Sequence, residues 1–113
     1  MQFLALVLPI AAFMASTAYG AECYSQSKRK ECLNSNDLYN ARQDYCGSFR
    51  FQQNGEKDYF GQNGWKEAFT GTNIPNQQLC WDSTDNIIKQ CLGHKNGGSY
   101  SQNGWNMNIN FCA

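Results

Sequence analysis

Six cysteines constrain what this 113-residue chain can fold into more than any other feature. Cys23, Cys32, Cys46, Cys80, Cys91 and Cys112 all lie beyond residue 20, in a stretch small enough to be a single domain. A chain of that size buries only somewhat more than ~60% of its unfolded surface and is marginal without crosslinks. An even cysteine count in such a chain reads as three disulfides, each worth roughly 2–4 kcal/mol. Fifteen pairings are open to six cysteines. Zinc is the competing use of thiols, but there is no CxxC pair, and His94 is the only imidazole. No metal and no cofactor is expected.

The segment before the cysteines reads as a secretory leader. Phe3 to Met14 is apolar apart from Pro9, and small residues lead to Ala18-Tyr19-Gly20, a cleavage site before Ala21. The alternative, a membrane anchor, needs about 20 apolar residues, and this run is shorter. The expected organisation is therefore a signal peptide over 1–20 and one domain over 21–113, secreted into an oxidising, extracellular setting.

Nine basic and nine acidic residues cancel. A neutral, unclustered chain has no electrostatic footprint for nucleic acid or an anionic membrane, so neither is an expected partner. Lys28-Arg29-Lys30 is the only basic run and reads as a solvated loop. Asn and Gln supply nearly a quarter of residues 21–113, yet no Asn-x-Ser/Thr sequon occurs. No N-linked sugar is expected on the chain itself.

Ala21 to Asn34 has no period and reads as an irregular arm tied down by Cys23 and Cys32. Ser35-Asn36-Asp37 forms a capping cluster, followed at helical spacing by Leu38, Ala41, Tyr45 and Cys46, with Gly47 as the stop. Ser48 to Gly61 reads as two strands joined by an Asn54-Gly55 turn, with Phe49 and Phe51 alternating against Arg50 and Gln52. Trp65 to Phe69 is a third short strand or a turn of helix. Cys80, Thr84, Ile87, Ile88 and Cys91 then form one apolar helical stripe, capped by Asn76 or Asp82 and ended by Gly93. Along such a helix Cys80 and Cys91 are about 16 Å apart at ~1.5 Å per residue. A disulfide needs Cα atoms within roughly 7 Å, so each must staple the helix to something else.

The last segment alternates. Trp105, Met107, Ile109 and Phe111 point one way and Asn106, Asn108 and Asn110 the other, after an Asn103-Gly104 turn that pairs the strand with Ser99-Tyr100. Asn is a poor strand former, so three in register call for a reason beyond propensity. Phe60 to Trp65 and Tyr100 to Trp105 share aromatic-x-QNGW, as a duplicated hairpin tip or a pair of equivalent binding tips. The fold class is α+β: a small disulfide-stapled antiparallel sheet of four to five strands packed with two helices, α/β sandwich-like.

Catalysis finds little support in these residues. With the cysteines oxidised and His94 alone in a loop, no nucleophilic triad forms. Asp82 and Asp85 sit in the first turn of a helix, where its dipole explains them, and Glu56 and Asp58 flank a turn. Recognition of neutral polar ligands fits better. Each amide offers sugar hydroxyls both a donor and an acceptor, and Trp and Tyr rings stack on sugar C–H faces. The candidate glycan-binding residues are Asn63, Trp65, Tyr100, Asn103, Asn106, Asn108 and Asn110.

The pattern C-W-D-x-x-x-N-I-I-x-Q-C, carried by Cys80, Trp81, Asp82, Asn86, Ile87, Ile88, Gln90 and Cys91, is followed by Gly97-Gly98 in a loop and by Tyr100. It resembles a fungal (mushroom) glycan-binding family, the Y-three-like domain named for an ink-cap lectin. The similarity covers the C-terminal third and extends more loosely to the Cys46-Gly47 end of the first helix. The resemblance implies an α/β/α sandwich, a homodimer formed through a sheet edge, binding of fucosylated, GalNAc-containing glycans or glycoproteins, and a role in defence. Helices on both sheet faces would turn the Asn row toward a helix. The alternative from another class is a secreted cysteine-rich fungal effector or toxin that binds a host protein.

Overall fold

The computed structural model describes residues 20–25, 34–62 and 64–113. The leader short of Gly20, the Lys28–Lys30 run, Cys32 and Asn63 lie outside the described residues. The elements in chain order are β1 (Glu22–Tyr24), α1 (Ser35–Gly47), a 3-10 turn (Arg50–Gln52), β2 (Gly55–Phe60), β3 (Lys66–Thr72), α2 (Gln77–Cys91), β4 (Gly97–Gln102) and β5 (Trp105–Asn110). The strands form one antiparallel sheet in the order β1-β4-β5-β3-β2. This is the expected α+β fold.

Both helices start where an Asn side chain satisfies a free N–H of the first turn. Asn34 accepts from the Asp37 N–H at 2.8 Å, one residue ahead of the expected cluster. Asn76 accepts from the Leu79 N–H at 2.9 Å, which decides between Asn76 and Asp82 as the α2 cap. Each apolar stripe is buried as its spacing requires: Leu38, Ala41, Tyr45 and Cys46 on α1, and Cys80, Thr84, Ile87, Ile88 and Cys91 on α2. Both stripes rest on the same sheet face. Tyr45 packs on Phe69 at 5.2 Å between ring centroids, and Met107 and Ile109 are wholly buried beneath the helices. The chain therefore has two layers, and the helix on the second face that the resemblance implied is absent among the described residues.

Cys46 bonds Cys80, with Cα atoms 5.7 Å apart, and ties the end of α1 to the start of α2. Cys23 bonds Cys91, with Cα atoms 5.3 Å apart, and ties β1 to the end of α2. Cys112 is disulfide-bonded as well. As helix geometry requires, Cys80 and Cys91 each reach a different element.

Three expectations fail locally. The irregular arm at Ala21 contains β1, whose Glu22, Cys23 and Tyr24 pair with Ser99, Gly98 and Gly97. Three residues carry no periodicity, so only their partner strand reveals them. Ser48 to Gln53 is no strand: Phe49 takes a left-handed φ of 58°, the 3-10 turn follows, and Phe49 and Phe51 pack ring on ring at 5.8 Å instead of alternating. Asn54 and Gly55 accordingly do not close a hairpin. Asn54 clips the loop after β3 through its amide, accepting from the Asn73 N–H at 2.9 Å and donating to Asn73 Oδ1 at 3.1 Å. Finally, Gly97-Gly98 lies inside β4 and not in a loop. A Cβ on Gly97 would come within 2.8 Å of the Tyr24 ring, and one on Gly98 within 2.6 Å of Cys91 Sγ. The pair is small so that β1 can lie beside β4 and its disulfide can close above it.

Candidate functional site

The uncovered sheet face carries the candidate site. Register aligns Ser99, Asn108, Thr70 and Glu56 in one cross-strand row, and Gly97, Asn110, Ala68 and Asp58 in the next. Ser101, Asn106 and Thr72 form a third. Together with Tyr24, Lys66 and Ala113, the middle of this face lines a hollow of about 400 Å³.

The three asparagines are locked in place. The Tyr24 hydroxyl donates to Asn108 Oδ1 at 2.5 Å and lies 3.2 Å from the Ile109 carbonyl. Burial pushes the Tyr24 phenol up, although its hydrogen bond to Asn108 acts the other way, so it remains a donor near neutral pH. Asn110 Oδ1 accepts from the Cys112 N–H at 3.0 Å, and Asn106 Nδ2 donates to Ser101 Oγ at 2.5 Å. Each bond uses one end of an amide and fixes which end is presented. Asn108 and Asn110 offer their NH2 groups, and Asn106 offers its carbonyl oxygen. Thr70 adds a hydroxyl, and the Lys66 ammonium lies 3.8 Å from Asp58 at the rim. Glu56 is raised above its ordinary value, first by a hydrogen bond shared with Asp58 and then by that neighbour's charge.

The remaining candidates are scattered. Trp65 precedes β3 and Asn103 sits in the β4–β5 turn, and because β3 and β5 run antiparallel these two tips are at opposite ends of the sheet. Trp65 and Asn103 therefore belong to two separate ends of the sheet. Asn103 and Gly104, at φ 47° and 87°, form the turn that Asn-Gly prefers. Tyr100 is on the helix-covered face, stacked on the buried Trp105 at 5.6 Å, and cannot join the Asn row. Trp81 holds the Arg42 guanidinium 4.7 Å above its ring and serves helix packing.

Tyr24, Lys66 and Thr70 line the hollow but escape a reading of the sequence. Thr70 and Lys66 alternate correctly for it, but nothing local places β3 beside β5. Tyr24 is on a strand with no signal of its own.

Contrary to expectation, Asp82 and Asp85 lie beyond the first turn of α2, which holds no acidic residue, so side-chain bonds and not the helix dipole account for them. Asp85 accepts from the Tyr39 hydroxyl at 2.7 Å and pairs with Lys89 at 3.0 Å, and Asp82 accepts from Gln78 at 2.8 Å. Among the described residues no helix is long and apolar enough to cross a membrane, and no group of three His, Cys, Asp or Glu side chains converges for a metal ion.

The family model described as LDL, alpha-galactosyl binding lectin, matches residues 33–113. No curated protein and no solved structure gives a match.

Proposed function

We propose that the chain, which belongs to the alpha-galactosyl binding lectin family, binds glycans ending in an α-galactosyl group, without enzymatic turnover, in the hollow of the open sheet face. The observation that carries this reading is the fixed orientation of the Asn106, Asn108 and Asn110 amides around one cavity. A hexose needs donors and acceptors already aimed at its hydroxyls, because amides that must be ordered on binding lose affinity to entropy. A hollow of about 400 Å³ accepts a mono- or disaccharide and leaves the rest of a glycan in solvent. An α-galactosyl end is favoured here over the fucosylated, GalNAc-containing glycans of the Y-three-like resemblance, because the matching family is named for it.

Export to the extracellular space belongs to the same reading, supported by disulfide use and the leader-like N-terminus. So does a homodimer joined along a sheet edge. Edge strand β2 is exposed over most of Gly55–Phe60, and Phe60 is 69% exposed. A defensive role would follow from binding glycans on the surface of an attacking animal or microbe.

The test is a glycan array followed by calorimetry. Methyl α-galactoside should bind and displace array ligands, and Thr70→Ala or Asn108→Ala should weaken it about tenfold with the fold intact. Failure of every α-galactosyl glycan to bind, with capture of one protein from a host extract instead, would favour the effector reading.

A further inference from the structure

Glu67 is the one carboxylate placed in the core-facing row of β3, between Phe69 and the start of the strand. It is 1% exposed, and its Oε2 has no hydrogen-bond partner among the described residues. It lines a second hollow, of about 340 Å³, on the helix-covered side of the sheet. Asp37, Asn40 and Asp44 of α1 form one wall, and Tyr59 and Gln62 the other. No Lys or Arg is among the described residues that line it.

The three carboxyl groups are not equivalent. Asp44 is engaged: it accepts from the Tyr59 hydroxyl at 2.6 Å and lies 3.5 Å from Arg50 Nε. Asp37 is held by its backbone in the first turn of α1, and its charge opposes ionisation of Glu67. A buried carboxylate without a donor, facing a second carboxylate, is a costly arrangement that a ligand could offset. A neutral hydroxyl would satisfy Oε2 but leave the repulsion between Asp37 and Glu67. A compact cation with several N–H donors answers both needs, and Asn40 and Gln62 remain free to meet hydroxyls beside it.

We propose that this hollow binds an amino sugar with a free primary amine, the ammonium held between Asp37 and Glu67 and the ring hydroxyls by Asn40 and Gln62. This site lies on the opposite side of the sheet from the Asn row and does not depend on it. The ionisable groups around Glu67 are Asp37 and Asp44 on α1, with Arg50 beside Asp44, and Tyr59 on β2 with the Lys57 ammonium 5.6 Å from its ring centroid. Burial, and then Asp37, raise Glu67 to about 7. Acid should therefore discharge it and loosen the ammonium.

The experiment is an NMR titration of the intact folded protein with glucosamine, N-acetylglucosamine and glucose. Glucosamine at pH 7 should shift the Asn40 and Gln62 side-chain amides, and its affinity should drop about tenfold at pH 5 or in Asp37→Asn. Glu67→Gln should abolish the pH dependence. Equal shifts from N-acetylglucosamine or glucose would overturn the proposal, as would no response to glucosamine. Methyl α-galactoside, read on the Asn106, Asn108 and Asn110 amides in the same samples, reports separately on the open-face site.

Discussion

β5 presents two chemistries one residue apart. Trp105, Met107 and Ile109 are buried beneath the helices, while Asn106, Asn108 and Asn110 stay half-exposed on the bare face. The same strand thus supplies a core row, which any set of well-fitting apolar side chains could fill, and a polar row whose members have specific partners. The helix-covered row holds the sheet in shape, and the open row uses that rigidity to aim its amides.

Substitutions that separate the two faces sharpen this contrast. The largest expected effect is on the staples beneath the covered face. Cys46→Ser with Cys80→Ser should cost about 4 kcal/mol, the loop entropy released on opening a loop of 34 residues, measured as a fall in the denaturant midpoint. Met107→Ala, at a position with no exposure, should cost about 2–5 kcal/mol. If Met107→Ala and Asn108→Ala destabilise equally, the Asn row is as structural as the core row and the division between faces fails.

Glu67 tests the covered face by pH. A carboxyl raised from its ordinary 4.5 to about 7 favours the protonated folded state. Its stabilising influence is complete below about pH 4.5 and is lost as pH rises through 7, a change on the order of 3 kcal/mol. Wild type should lose stability over that window and Glu67→Gln should not, as followed by thermal melts at each pH. The smallest effect is expected at Asn106, whose bond to Ser101 is exposed. Asn106→Ala should move stability by less than about 1 kcal/mol while still weakening α-galactoside binding.

How much of this was legible follows the same division. Period 3.6 in α2 and period 2 in β5 are local patterns enforced by burial, so both helices and the final hairpin could be read directly. Asn106, Asn108 and Asn110 stood out as candidates because they interrupt a strand that otherwise favours apolar and β-branched residues, and they line one hollow. The pairing of Cys46 with Cys80 and of Cys23 with Cys91 could not be read, because it depends on where α1 and β1 lie against α2. Tyr24 was missed for a related reason: its strand exists only because Gly97 and Gly98 make room for it. Phe49 and Phe51 misled, since a left-handed residue at 49 breaks an alternation that looked strand-like.

The most direct test is to titrate isotope-labelled protein with methyl α-galactoside and follow the side-chain NH2 signals. Saturable shifts concentrated on Asn106, Asn108 and Asn110, lost in Thr70→Ala, are the predicted result. Shifts confined to the hollow beside α1, or none at a concentration where an array shows binding, would place the sugar elsewhere and contradict the account.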